Sequence, residues 1–421
     1  MPGARNRWCR ASDYLRLFPM TATQRFYFTG TDGPVVFEGA DAVVSLLPEI
    51  FSDWPYAPVE GGMDVPTLTV SQRDGRFCFS SDHYDLSKSH SDPLHAACTL
   101  LAELAWSRIR AEQGLLCFHG AAIEREGSLM LFPNQRRAGK STLTACLAAL
   151  GAHVFTDDYL PLRLGKDGAM RGIANGAAPR LRRPLPKEFS QGLVRWMEHH
   201  AGPRNQQYLY LDLPDGQLAP HGETLPISTI ILLDRREEGE AELEPVASSK
   251  VMRRLIRQNF SRSMNPARVL AMLNGLVETS QCLRLRYSNG EEAAAYLKAW
   301  CDANPRGATA RVDPSNLPPD SHAVYTTDKA VAGDHTYQRN PSVYEAQLQE
   351  DVFVACAEGP GMHAFNGVTT GIWTLLLEPT TQEDITQTLA AAFPEQPRED
   401  LSQAVSKIIQ AMLKHRLIMA V

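Results

Sequence analysis

The chain has 421 residues, 43% apolar and 21% charged, a composition that fits roughly two to four globular domains and excludes a collagen-like, wholly disordered or membrane-spanning protein. Its net charge of −6 is unevenly spread: from Ser321 onward there are 12 acidic and 6 basic side chains, which leaves 36 of each sign before it. The neutral bulk argues against a nucleic-acid binder, and the acidic tail suits a basic or polar peptide partner.

The longest apolar stretches, 145–150 and 389–393, fall far short of the roughly 18 residues that a bilayer span needs. No membrane association is expected. Arg5, Arg7 and Arg10 are followed at 11–18 by Ser, Asp and Arg instead of an apolar signal core, so a cytoplasmic location is expected. The eight cysteines form no C-x-x-C pair, and neither a disulfide framework nor a zinc site is indicated.

In chain order, short β-rich runs at 25–29, 35–38, 67–70 and 77–80 predict a small sheet domain over residues 1–90. Asp92 and Pro93 read as the cap and first turn of a helix striped by Leu94, Ala97, Leu101, Leu104 and Ala105, which opens a central domain over 91–302.

Residues 129–132 read as a buried strand running straight into Asn134-Gln135-Arg136-Arg137-Ala138-Gly139-Lys140-Ser141-Thr142. The second half of this run has the ending of a P-loop. Gly139 lets backbone amides approach phosphate oxygens, Lys140 reaches the outer phosphates, and Ser141 places a hydroxyl on magnesium. A helix with Leu143, Cys146, Leu147 and Leu150 on its apolar face and Gly151 at its stop is expected to follow. Asn134 stands where the strict pattern has its first Gly, and Asn is the next residue most tolerant of positive φ. Arg136 and Arg137 are candidate phosphate clamps.

Past the loop, an apolar run at 153–155 ends in Thr156-Asp157-Asp158, two acids at a strand end beside the phosphates. Upstream, Cys117-Phe118-His119-Gly120 precedes a Glu126-Gly127 turn, so the loop strand is entered from a hairpin. His119 reads either as a core histidine or as a catalytic one, and the acid pair either as a solvated strand end or as a site. Arg180 and Arg182 lie in an arginine-rich loop, as surface residues or as phosphate contacts. Strands at 208–213, 227–233 and 283–287, a basic helix at 251–258 and a closing helix at 291–300 complete the domain. The Pro-rich segment 303–336 reads as a linker.

Residues 337–421 give strands at 337–347, 351–356 and 362–365, then three helices. Asn366 caps the first, Thr380 with Glu383 forms a capping box for the second, and Leu401, Val405, Ile408 and Met412 stripe the third.

The order F-H-G, hairpin, G-K-S loop, helix and T-D-D over about residues 115–300 resembles the HPr kinase/phosphorylase family. The resemblance implies a PEP-carboxykinase-like α/β core binding ATP and Mg2+, an oligomer, Asp157 as catalytic base, Asp158 with Ser141 at the metal, Lys140 on the phosphates and His119 nearby. The family's second, acidic and glycine-rich signature has no match, and Ala178-Pro179-Arg180-Leu181-Arg182-Arg183 occupies its place. That points away from HPr as substrate and toward the HPr-kinase-related proteins of peptide-biosynthesis clusters. The βββααα order with F-N-G-V-T-T-G-I-W at its strand-to-helix join resembles the winged-helix-like PqqD domain, which implies capture of a ribosomally made precursor peptide through residues 337–421. A Ser/Thr peptide kinase is the resulting expectation. A kinase for a small molecule or carrier protein, and a non-catalytic nucleotide-gated peptide chaperone, stay open as alternatives.

Overall fold

A computed structural model describes residues 23–60, 64–81, 86–112, 114–261, 264–319, 335–365 and 367–421. The basic N-terminal residues, Asn366 and positions 320–334 of the expected linker lie outside the described residues.

The N-terminal run forms a six-stranded sheet in the order Tyr56–Pro58, Gln24–Phe28, Val35–Glu38, Leu68–Arg73, Arg76–Ser80 and Ser89–His90. Pleating puts Phe77 and Phe79 on one face of their strand, where they are buried. Helix Pro93–Ala111, capped by the Asp92 side chain on the His95 amide, buries Leu94, Leu101 and Leu104 in the same apolar cluster as Phe37 and Val70. The helix expected to open the central domain therefore packs on the N-terminal sheet. Tyr159 of the central sheet and Tyr210 of a separate three-stranded sheet join this cluster.

Thr224–Arg235 is the longest strand and organises the nine-stranded central sheet. Its first residues pair antiparallel with Met170–Ile173, and the rest pair parallel with Ser128–Phe132 on one side and Gln281–Tyr287 on the other. Its continuous apolar run reflects burial on both faces. Ile230 and Leu232 share a cluster with helices Ser248–Gln258 and Pro266–Thr279, while Ile231 and Leu233 share another with helices Lys140–Ala149 and Gly290–Ala303. Helix Pro266–Thr279 has no counterpart among the expected elements, although Asn265 capping the Arg268 amide and Pro266 at the first turn carry its start signal.

The described part of the expected linker is no free tether. Ala310 and Val312 are buried, the Met170 amide donates to Ala310 O at 3.0 Å, and the Ala310 amide donates to Ile227 O at 2.7 Å. Non-proline positions here supply edge hydrogen bonds to the sheet, and Arg268 holds Pro318 O at 2.7 Å.

The C-terminal part contains the antiparallel sheet Val343–Leu348, Asp351–Cys356, Met362–Phe365. The expected strand at 337–347 is in fact two. Asn340 breaks it, donating to Arg416 O and accepting from the Ser342 amide, and Thr336–Arg339 pairs instead with Ile418–Ala420 and Thr380–Thr381. Helices Val368–Leu375, Gln382–Ala392 and Arg398–Lys414 follow. The capping box falls one residue later than expected, on Thr381 and Asp384, and Ile409 instead of Ile408 is the fully buried member of the last stripe.

Strand alternation sends Val352, Val354, Cys356 and Phe365 toward these helices and Ala346, Leu348, Phe353 and Ala355 into the central cluster with Leu270, Leu273 and Val277. The module is thus packed on helix Pro266–Thr279. At the interface edge Arg253 forks onto Asp351, at 2.8 and 3.3 Å, and the Ser249 amide donates to Gln349. Phe353→Ala should cost about 3–5 kcal/mol in urea denaturation of the full chain. Deleting residues 335–421 uncovers the apolar face of Pro266–Thr279, and size-exclusion chromatography should show loss of soluble, discrete protein.

Candidate functional site

The loop between Phe132 and Lys140 leaves the carboxyl end of its strand beside the end of Thr224–Arg235. Asn134 is buried there, and its side-chain amide clasps the neighbouring backbone: Nδ2 donates to Leu233 O and Oδ1 accepts from Leu233 N, each at 3.0 Å. Positive φ is found at Arg137 and Gly139, not at Asn134. Asn therefore serves at this position by extending the sheet with its side chain, and the expectation of a left-handed backbone there is corrected. Gly139 is required twice over, since its φ is +91° and an added Cβ would lie 2.3 Å from the Tyr287 hydroxyl. That hydroxyl donates to Ala138 O at 3.2 Å and props the loop.

Lys140 starts the loop helix with its side chain folded back into the loop, buried at 6% exposure. Its ammonium donates to Asn134 O at 2.7 Å, Gln135 O at 3.1 Å and His119 Nε2 at 3.2 Å. Burial pulls its pKa down to about 8, against the pull of the two nearby aspartates. Because the ammonium can only donate, Nε2 of His119 accepts and Nδ1 carries the proton that faces Asp158 Oδ1, 3.3 Å away. Gly120 follows because a Cβ there would meet Phe132 O at 3.1 Å.

The strand before the acid pair ends at Thr156, so the alternation that would aim the two acids apart is broken. The Thr156 hydroxyl donates to Tyr159 O and takes a hydrogen bond from Asn175, pinning the bend. Asp157 is buried and accepts from the Arg180 amide at 3.0 Å, with the Ser141 side chain near it. Asp158 faces His119 and the Arg180 guanidinium, the latter at 3.3 Å. The two acids are driven apart: burial and the charge of Asp158 push Asp157 up, whereas the His119 hydrogen bond and the charge of Arg180 outweigh burial and hold Asp158 down.

His119, Asn134, Lys140, Ser141, Asp157, Asp158 and Arg180 thus meet at one site. Gln135, Arg136 and Arg137 form its exposed rim, and Ala138 and Gly139 contribute backbone. Thr142 turns away, toward Gly290 of the closing helix, and Arg182 is exposed with its guanidinium 5.8 Å from the Tyr208 ring. Tyr208 also lies under Arg180, at 4.8 Å. The sequence reading missed Tyr287, Asn175 and Arg254. Arg254, on helix Ser248–Gln258, reaches Gln135 Oε1 at 3.2 Å, and the basic stretch of that helix was the available signal. Positive charge, backbone donors and two carboxylates thus converge around the loop.

A family model described as coenzyme PQQ synthesis protein D (PqqD) matches residues 354–418, and the chain carries a PqqD domain at its C-terminus. No curated protein matches the chain. Similar solved structures include TbiB1 in complex with the TbiA(beta) leader peptide, 18% identical over 19% of this chain and 93% of that one with a TM-score of 0.18. They also include the Hpr(Ser) kinase/phosphatase from Coxiella burnetii, 11% identical over 44% of this chain and 95% of that one with a TM-score of 0.23.

Asn134→Ala should leave the Leu233 amide and carbonyl without partners, at about 1–3 kcal/mol for each group. Urea denaturation should show the loss, and Asn134→Asp should recover only the part carried by the Leu233 amide.

Proposed function

We propose that the chain is an ATP-dependent, magnesium-dependent kinase that phosphorylates a Ser or Thr hydroxyl of a precursor peptide held by its own PqqD domain. The observation that carries the reading is the convergence of Lys140, Ser141, Asp157, Asp158, His119 and Arg180 around one loop and the start of its helix. The hydroxyl and carboxylate oxygens present fit a hard divalent cation, and Ser141 with Asp158 would hold Mg2+, which supplies charge neutralisation for the phosphates.

Lys140 and the loop amides hold the triphosphate. Asp157, with its raised proton affinity, takes the proton of the substrate hydroxyl as the oxygen attacks the terminal phosphorus and the bond to the leaving diphosphate breaks. Asp158 stays anionic, and His119 positions both it and Lys140. Ser141 lies near Asp157 as well, so the reverse division of labour between the acids is the alternative that mutation resolves. The domain supports a peptide substrate because Met362–Phe365 is an edge strand of its sheet, able to take an added strand. The whole module sits on the helices that pack behind the loop, within one molecule.

Lys140→Ala should reduce phosphoryl transfer about 100- to 1,000-fold in a radiolabelled-ATP assay, with peptide binding intact. Asp157→Asn should abolish turnover with little change in nucleotide affinity, and Asp158→Asn should raise the magnesium requirement. Rescue of Asp157→Asn by excess magnesium would reverse the roles. ATP hydrolysis without a phosphorylated peptide by mass spectrometry would favour a nucleotide-gated binder instead. Since Lys140 titrates near pH 8 in the free protein, triphosphate binding should take up protons around that pH and weaken as pH rises above it. Calorimetry in buffers of different ionisation enthalpy checks this, and Lys140→Met should remove the uptake.

A further inference from the structure

Alternation along Met362–Phe365 turns Met362 and Ala364 toward the central cluster and His363 and Phe365 toward the helices. His415 closes helix Arg398–Lys414, and its ring lies 4.2 Å from that of His363, centroid to centroid, tilted by 50°. His363 Nε2 and His415 Nδ1 are both shut off from solvent and have no hydrogen-bond partner. Buried imidazole nitrogens without partners cost free energy, and a ligand that satisfies them recovers it. The pair lies between the free edge of the strand and the last helix.

The ionisable groups around the pair are Lys414 and Arg416 at the helix end, Glu358 in the turn before the strand, and the Cys356 thiol. Glu358 pairs with Arg416 at 3.2 Å, and Cys356 accepts from Asn340. Glu358 is thus already committed to Arg416, and Lys414 adds positive charge beside the rings. Burial, and then the facing ring, holds His363 down to about 4, and burial with Lys414 lowers His415, so both rings are neutral at neutral pH.

Resting on the peptide-binding reading above, we propose that His363 and His415 form a two-imidazole receptor for one Asp or Glu side chain of the bound peptide. A strand added beside Met362–Phe365 places every second side chain on the helix-facing side, within reach of the residue opposite it. A carboxylate there accepts from both rings, is favoured by Lys414, and is the one side chain that stabilises the protonated rings. A Lys or Arg at the same place is repelled. Binding consequently takes up a proton from solvent and tightens as pH falls toward the value of about 4 that His363 has in the free protein.

The test is to select binders to the full-length chain from a display library of random linear peptides, then measure the enriched peptides by fluorescence anisotropy. The expected result is an Asp or Glu at one fixed position, whose replacement by Asn or Gln weakens binding about tenfold or more. His363→Gln and His415→Gln should erase that difference and the pH dependence while still binding the amide-containing peptide. The swap on the peptide side needs no protein variant, so a misfolded variant does not spoil the measurement. Enriched peptides with no acid preference, or a preference that survives in both variants, overturn the receptor. Failure of the folded chain to enrich any peptide overturns the peptide-binding reading itself.

Discussion

A charged side chain buried inside a loop has to be solvated by the protein, and that requirement at Lys140 shapes everything around it. Two loop carbonyls, from Asn134 and Gln135, and His119 replace the water that the ammonium gives up. Those partners must in turn be fixed. Asn134 is fixed by its clasp on Leu233, and His119 by Asp158. The loop is a preformed shape because its dipoles are already committed to a cation, and the ammonium keeps a high enough proton affinity to meet an anion at modest cost.

The acid pair shows how neighbours divide two identical side chains. Asp157 is covered and receives a neutral donor, the Arg180 amide, whereas Asp158 receives charge from Arg180 and a hydrogen bond from His119. Arg180 arrives from a separate small sheet, so the acid–base character of the site depends on the docking of that sheet. One guanidinium thus links the wall of the site, through Tyr208, to its chemistry.

Packing also joins the C-terminal module to the loop. Helix Ser248–Gln258 places Arg253 on Asp351 of the module and Arg254 on Gln135 of the loop, adjacent side chains pointing to opposite partners. The apolar contact through Phe353 behind them makes the module part of the folded core. A bound peptide would therefore meet the loop at a geometry set by packing, in place of the local-concentration effect of a flexible tether.

The sequence by itself determined what depends on local chemistry: the strand-loop-helix around Gly139 and Lys140, the strand-end acids, the Asp92 cap, and the alternation that makes three strands of the C-terminal module. Each is set by spacing within a few residues. The sequence left the long-range partners undetermined. Nothing near Asn134 announces Leu233, nothing near Gly139 announces Tyr287, and the Pro-rich run after residue 303 has no local period because its order comes from backbone bonds to Ile227 and Met170. Helix Pro266–Thr279 carried a readable cap, but only the assembled molecule revealed its role, since the surface it covers belongs to residues some eighty positions later. Tertiary structure decided these points because a side chain's solvation, and hence its proton affinity and its function, is set by whatever the fold brings against it.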